Sequence, residues 1–263
     1  MGRERGTLKS RWLALALLVA PLLSPQSRAE TLVIAGDIWC PINCAPDSSR
    51  PGIFVELAQE IFGAAGIRVE YRLLNWARAV HDTRSGRLDA LIGAGTRDAP
   101  DFIFTPSAPG VSRMCFYVAK ASSWRYSGMA SLAEVRLGSI NSYSYGQDLD
   151  AYIRIQRQDP ARVQVVSGDQ ALAMNVEKIL LGRIDATIEN AWVMDAYLAT
   201  SGQQGKLLKA GCRSPDVPIY LAFAPGLETS ARHAALFEAG LQRLRQSGRV
   251  DELLRRYGVA PLD

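Results

Sequence analysis

The sequence predicts an α/β protein built as two lobes, each a mixed, mainly parallel sheet flanked by helices, facing one another across a cleft. A seven-residue stretch occurs twice, as Gly86-Arg87-Leu88-Asp89-Ala90-Leu91-Ile92 and, 96 positions later, as Gly182-Arg183-Ile184-Asp185-Ala186-Thr187-Ile188. Each copy follows a segment of helical spacing and runs into small apolar or β-branched residues, the pattern of a helix feeding a buried parallel strand. Each strand then ends in polar residues, Gly93 to Arg97 in the first copy and Glu189 to Trp192 in the second. Ligand groups in open parallel sheets come from the carboxyl ends of strands, so two such ends facing each other make a cleft.

Taken in order, residues 31–36 are a short apolar strand that runs into Asp37-Ile38-Trp39-Cys40-Pro41. The Trp39 ring there is either core packing or a flat platform facing a ligand. Pro51-Gly52 precedes a helix whose face is Ile53, Leu57, Ile61 and Phe62. Gly66 stops it, and residues 69–73 alternate as a strand. Asn75-Trp76-Ala77-Arg78 opens the next helix; Trp76 reads equally as core or site, and Arg78 could reach an acidic ligand or pair with Asp82 one helical turn on. After the first repeat, Arg97 lies in a polar loop where a planar guanidinium could clasp a carboxylate. Residues 104–109 form a rigid non-helical segment, and 114–118 a strand carrying Cys115. The pattern is irregular from 119 to 131, which places the first lobe boundary there, with Trp124 and Tyr126 as hinge or cleft lip. Residues 135–140 restart a strand that runs into Asn141-Ser142-Tyr143-Ser144-Tyr145-Gly146 and a helix. Hydroxyls and free amides at that helix start form an anion site, for a ligand carboxylate or for Asp148 as cap. A strand at 163–166, a helix from Ser167 through Leu181, the second repeat strand and a helix from Asn190 to Thr200 follow. A return strand at 219–225 and two amphipathic helices close the chain.

Arg3, Arg5, Lys9 and Arg11 precede an apolar run from Trp12 to Leu23, and Ser27-Arg28-Ala29 supplies small residues before a cut ahead of Glu30. Residues 1–29 therefore read as a cleavable secretory signal, too short in its apolar run to span a bilayer and with no cysteine at the cut for a lipid anchor. That segment holds five of the 30 Lys plus Arg and one of the 26 Asp plus Glu, leaving 25 of each. A near-neutral exported chain argues against nucleic acid and against direct membrane insertion after cleavage; the expectation is a periplasmic monomer. All four cysteines lie in the exported part, where disulfides persist. Cys40 and Cys44 can close a tight local loop, and Cys115 with Cys212 is the candidate second bridge, a pairing that stays open. Cys-x3-Cys is unusual for structural zinc and His81 and His233 stand isolated, so neither metal nor cofactor is expected.

The order and spacing of these features resemble the periplasmic solute-binding proteins of the polar-amino-acid type, the clamp-shaped receptors that feed membrane importers. The likeness spans Thr31 to about Tyr257. It rests on Trp39-x-Pro41, Pro51-Gly52, Trp76-x-Arg78, both Gly-x-x-Asp-Ala turns, Phe104-Thr105-Pro106 and Leu254-x-x-Tyr257. The resemblance implies a type II periplasmic-binding-protein clamp, with residues 30–121 and 216–263 forming a discontinuous first lobe and 122–215 the second. It implies a small-molecule solute, an inner-membrane ABC permease as partner, and a solute held by aromatic faces and an arginine from the first lobe and by a strand-to-helix loop and an acid from the second. The site set is then Trp39, Trp76, Arg78, Arg97, Asn141, Ser142, Tyr143, Ser144, Tyr145, Glu189 and Asn190. Two positions depart from the pattern: Asp98 stands where the family places its carboxylate-binding arginine, with Arg97 one step off, and Asn190 stands where the ammonium-binding acid belongs, beside Glu189. These departures lower ordinary amino acids in the ranking and point to a small solute with an anionic or strongly accepting group and a ring or apolar part.

Two other classes compete with a binding receptor. The same fold resembles that of exported dehydratases acting on cyclic pre-aromatic acids, for which Glu189, Asp37 or Asp98 could supply the acid; no Gly-x-Ser-x-Gly, His-Glu-x-x-His, phosphate or dinucleotide loop is present. Product formation from a bound acid separates that enzyme from a receptor. An accessory or sensory module that binds a partner protein is the third class, and neighbouring permease and ATPase genes as against oxidase, dehydrogenase or signalling genes discriminate it.

Overall fold

The repeated Gly-Arg-x-Asp-Ala stretch is a clip that ties two adjacent strands together, used once in each lobe. In the computed structural model, which describes residues 1–2 and 30–259, Gly86 and Gly182 both adopt left-handed φ angles of 74° and 65°. That conformation favours glycine, and it turns the chain sharply from helix into strand. Leu88 and Ile184 are then buried, and the aspartate carboxylate caps the neighbouring strand. Asp89 Oδ2 accepts from the Val33 amide at 2.7 Å while its own amide donates to the Val33 carbonyl at 2.9 Å. Asp185 repeats the pair at Arg136, with 2.8 and 2.9 Å. The expected signal segment, apart from its first two residues, lies outside the described residues.

The first lobe contains β1 (Thr31–Gly36), α1 (Ile53–Ala64), β2 (Arg68–Leu73), α2 (Trp76–Arg84), β3 (Ala90–Ala94) and β4 (Gly110–Ser112). The second contains β5 (Met114–Ala119), a short 3-10 helix (Met129–Glu134), β6 (Leu137–Ile140), α3 (Gln147–Gln156), β7 (Val163–Val166), α4 (Ala171–Leu180), β8 (Ala186–Asn190), α5 (Ala191–Thr200) and β9 (Leu207–Cys212). The chain returns to the first lobe with β10 (Val217–Phe223), α6 (Ser230–Gln246) and α7 (Arg249–Arg256). The first sheet has the order β2-β1-β3-β10-β4 and the second β7-β6-β8-β5-β9. In each, three parallel strands are extended by two antiparallel pairings: β3 with β10 and β10 with β4 in the first sheet, β8 with β5 and β5 with β9 in the second. This is the two-lobed α/β clamp that the sequence predicts.

The period of two along β5 builds the second lobe on both faces. Met114, Phe116 and Val118 enter one apolar cluster, and Cys115 and Tyr117 enter another. In the first lobe, Leu32, Ile34, Phe54, Phe62, Phe223 and Phe237 pack α1 and α6 against one face of the sheet. Ala35, Ala79, Leu88 and Leu91 pack α2 against the other.

Sheet membership corrects the lobe boundary. Because β5 pairs with β8 and β9, the first crossing falls at Arg113, earlier than the expected 121, and the second falls between Cys212 and Val217. Arg113 Nε and Nη2 grip Asp216 Oδ2 at 2.9 and 2.7 Å, clasping the two crossing strands. Trp124 and Tyr126 are no cleft lip: both pack on Phe116, the Tyr126 ring stacked at 4.3 Å between centroids, and irregular spacing concealed this packing. The β4 strand, three residues long, carried no readable period, whereas Cys115 pairs with Cys212 across β5 and β9 as well as Cys40 with Cys44.

Candidate functional site

The cleft is lined where β1, β3, β6 and β8 end. After β1, the chain turns at residues 39–43, held by the Trp39 amide to the Asn43 carbonyl at 2.9 Å and by the Cys40–Cys44 disulfide. Gly52, at φ 117°, packs against this turn so closely that a Cβ would lie 2.5 Å from the Asn43 Cα. Its amide donates to the Tyr257 hydroxyl at 2.8 Å, which links Pro51-Gly52 to the C-terminal Leu254-x-x-Tyr257. Gly93, at φ 81°, lies beneath the Trp39 ring, with room for no side chain: its Cβ would stand 3.2 Å from Trp39 Cε3. The turn and the missing side chain together aim the indole across the cleft.

There Trp39 Nε1 donates to Glu189 Oε1 of the second lobe at 3.0 Å. The reverse crossing is made by Tyr143, whose hydroxyl donates to Asp37 Oδ2 at 2.6 Å. Asp98 accepts from the Gly95 amide at 2.8 Å, while the Ser144 hydroxyl of the opposite lobe donates to Asp150 at 3.1 Å. Val193 of α5 also packs into the apolar cluster of the first lobe. Polar contacts of Trp39 with Glu189, Tyr143 with Asp37 and Asn190 with Ser112, together with the packing of Val193, thus hold the lobes together around two chambers.

The larger chamber, about 760 Å³, is lined by Asp37, Trp39, Trp76, Arg97, Asp98 and Tyr143 to Asp148, with Arg213 and Asp216 on the far side. The smaller, about 200 Å³, is lined by Asp37, Trp39, Trp76, Asn141, Ser142, Tyr143, Asp169 and Glu189, and no Lys, Arg or His lines it among the described residues. Burial pushes Glu189 up to about 7, and nearby Asp37 adds to the rise, against hydrogen bonds from Trp39 and the Asn190 amide. Burial likewise pushes Asp37 up to about 6, offset by the Tyr143 hydroxyl. Asp98 is raised by burial as well. In a low-dielectric cleft, carboxyls with no cation opposite them hold their protons more tightly.

Trp39, Trp76, Tyr143 and Glu189 converge on these chambers. Asn190, one residue on, faces the other way and is fully engaged: its Oδ1 caps α5 by accepting from the Trp192 and Val193 amides at 2.9 and 3.3 Å, and its Nδ2 donates to Ser112 at 3.2 Å. Strand alternation therefore turns Glu189 into the cleft and Asn190 into the structure. Arg78 lies outside both chambers, exposed on the outer groove of α2 with its Nε 3.3 Å from Asp82 Oδ2. Arg97 lines the larger chamber from an exposed position. Tyr145 lends its ring to the larger chamber but spends its hydroxyl on the Ile140 amide at 2.8 Å. Ser142, at φ 65°, bends the loop after β6, with Asn141 Nδ2 on its hydroxyl at 3.2 Å. Sequence reading passed over Asp169 and Arg213, and treated Asp37 as no more than a rival enzyme's acid. Asp37 was the findable one, being the first polar residue past the apolar run of β1.

A family model for bacterial extracellular solute-binding proteins, family 3, matches residues 32–260. The chain belongs to that family. Family 3 is a family of solute-binding proteins, and among the described residues no group of His, Cys, Asp or Glu is placed to hold a metal. No curated protein matches the chain. Among solved structures, it is similar to a histidine kinase sensor domain with similarity to periplasmic binding proteins, at 21% identity over 89% of this chain and 99% of that one, TM-score 0.71. An arginine-, lysine-, histidine-binding protein from Geobacillus stearothermophilus is similar at 17% identity over 88% and 96%, TM-score 0.70. An ancestral arginine-binding protein bound to arginine is similar at 16% identity over 86% and 97%, TM-score 0.68. At these identities the likeness is one of fold. The family 3 assignment makes this chain an extracytoplasmic solute-binding protein.

Proposed function

We propose that this family 3 protein is an exported receptor, released by cleavage of residues 1–29, that closes on a small cationic solute and presents it to an inner-membrane ABC importer. One observation carries the charge of the solute: the smaller chamber holds Asp37, Asp169 and Glu189 and no basic side chain among the described residues. A cation entering there would meet carboxyls from both lobes, Asp37 from the first and Glu189 from the second, so that binding itself favours closure. Trp39, Trp76 and Tyr143 add flat aromatic faces, which attract cations. The anionic solute expected from Arg78 and Arg97 has less support, since Arg78 faces outward beside Asp82 and Arg97, exposed at the larger chamber, adjoins Asp98. The arginine-, lysine-, histidine-binding neighbour fits a cationic cargo on this fold.

Calorimetry with agmatine, putrescine, L-arginine and succinate, paired with small-angle scattering, tests the reading. At least one cation should bind and reduce the radius of gyration, succinate should not bind, and Glu189→Gln should weaken the cation. Binding of succinate with no binding of any of the three cations would overturn it.

A further inference from the structure

Several amides around the cleft that could receive a solute carboxylate are already engaged by the chain itself. At the three turns that surround the cleft, the Gly95 amide donates to Asp98 at 2.8 Å, the Tyr145 amide to Asp150 at 2.8 Å, and the Trp192 amide to Asn190 at 2.9 Å. Helix N-termini and loop amides attract anions, and here one amide at each of these turns is already engaged by a side chain of the chain itself. Of the two arginines on the wall of the larger chamber, Arg213 is bound to Asp148, and Arg97 stands exposed one residue from Asp98. Asp98 projects into that same chamber, so a carboxylate placed there would face a like charge in a water-poor space.

The chambers are unequal, about 200 and 760 Å³, and share Asp37, Trp39, Trp76 and Tyr143. Those four residues form a neck with an acid and three aromatic faces. The small chamber has room for a single charged head, while the large one accepts a longer body and offers Asp98 as a second acidic contact. On the strength of the cationic reading above, we propose that the solute is a cation without a carboxylate: an elongated amine or guanidine whose charged head sits between Asp37 and Glu189 and whose body passes the aromatic neck toward Asp98.

Agmatine and L-arginine isolate the decisive group, because they differ by the carboxylate alone. Titration calorimetry at pH 8 on the mature protein should find agmatine bound at least about tenfold more tightly than L-arginine, a ratio equivalent to about 1.4 kcal/mol. Putrescine should bind too, and Asp98→Asn should narrow the agmatine-to-arginine ratio by relieving the like-charge contact. L-Arginine equal to or tighter than agmatine in the wild-type protein would overturn the inference and leave the cationic reading standing. If neither agmatine, putrescine nor L-arginine binds, both fall.

Discussion

Glu189 and Asn190 are neighbours at the end of β8 with separate duties, and their variants should separate accordingly. Removing the charge of Glu189 by Gln keeps the shape and the Trp39 contact, and should cost a cationic solute about 2 to 5 kcal/mol of affinity by calorimetry. Asn190→Ala removes the cap of α5 and should lower unfolding stability by about 1 kcal/mol in urea titrations. Arg78→Ala, on an exposed helix turn with Asp82, should change affinity by less than about 0.5 kcal/mol. An equal loss from Arg78→Ala and Glu189→Gln would contradict this assignment. The same residues show what was legible in the sequence. Trp39 and Trp76 could be read at strand ends, but whether each ring packs in the core or faces the cleft stayed open, because a strand end fixes position and not ring direction. Side-chain direction at β8 could not be read either, since a family pattern specifies a position and a one-residue shift reverses the face. Arg78 was unreadable for a related reason: the first turn of α2 can aim a guanidinium inward or outward, and Asp82 one turn on decides it.

The paired acids also set a pH signature. Glu189 and Asp37, raised to about 7 and about 6, hold protons more tightly in the folded molecule than in the unfolded chain, whose carboxyls titrate near ~4. Their contribution to stability without solute is therefore complete below about pH 4 and is lost as pH rises through about 6 and 7. A cation favours the charged carboxylates, so affinity should move the opposite way, gaining about tenfold per pH unit for each proton released on binding and levelling above the higher value. Melting curves without solute and calorimetry with agmatine, both from pH 5 to 8, read the two slopes. Parallel slopes would exclude these carboxyls as the solute's partners.

At the scale of elements, the fold is held by a few specific closures. The Cys115–Cys212 disulfide joins β5 to β9 across a sequence separation of 97, and chain-entropy reasoning assigns such a loop about 4 to 5 kcal/mol. The Cys40–Cys44 loop, separated by 4, is worth about 2 kcal/mol on the same reasoning. Thermal unfolding of Cys115→Ser/Cys212→Ser and Cys40→Ser/Cys44→Ser double variants should preserve that order, and the reverse order would show that the short loop acts through the folded site. Helices were readable because their period of 3.6 persists over several residues, and the central parallel strands because, buried on both faces, they are short continuous apolar runs. The crossing at Arg113 was not, because β4 and β5 are separated by a single residue with no turn signal, and the edge of a lobe is defined by pairing instead of by local pattern. The repeated Gly-Arg-x-Asp-Ala clip was the most informative stretch, since a glycine in the left-handed region and an aspartate capping the next strand have the same effect in both lobes.

For the whole molecule, the two crossings at Arg113 and at residues 213–216 leave the lobes joined by two strands and by contacts made over the cleft. Trp39 with Glu189 and Tyr143 with Asp37 place these two carboxyls on a line between the lobes. A clamp arranged in this way gains most from a solute that brings positive charge to that line. The measurement that bears on this most directly is identification of the native cargo: protein isolated from its own envelope without dialysis, denatured, and the released small molecules identified by mass spectrometry. A compound positively charged at neutral pH and present in near-stoichiometric amount is the predicted result. A dicarboxylate or a neutral sugar recovered in that amount would contradict it.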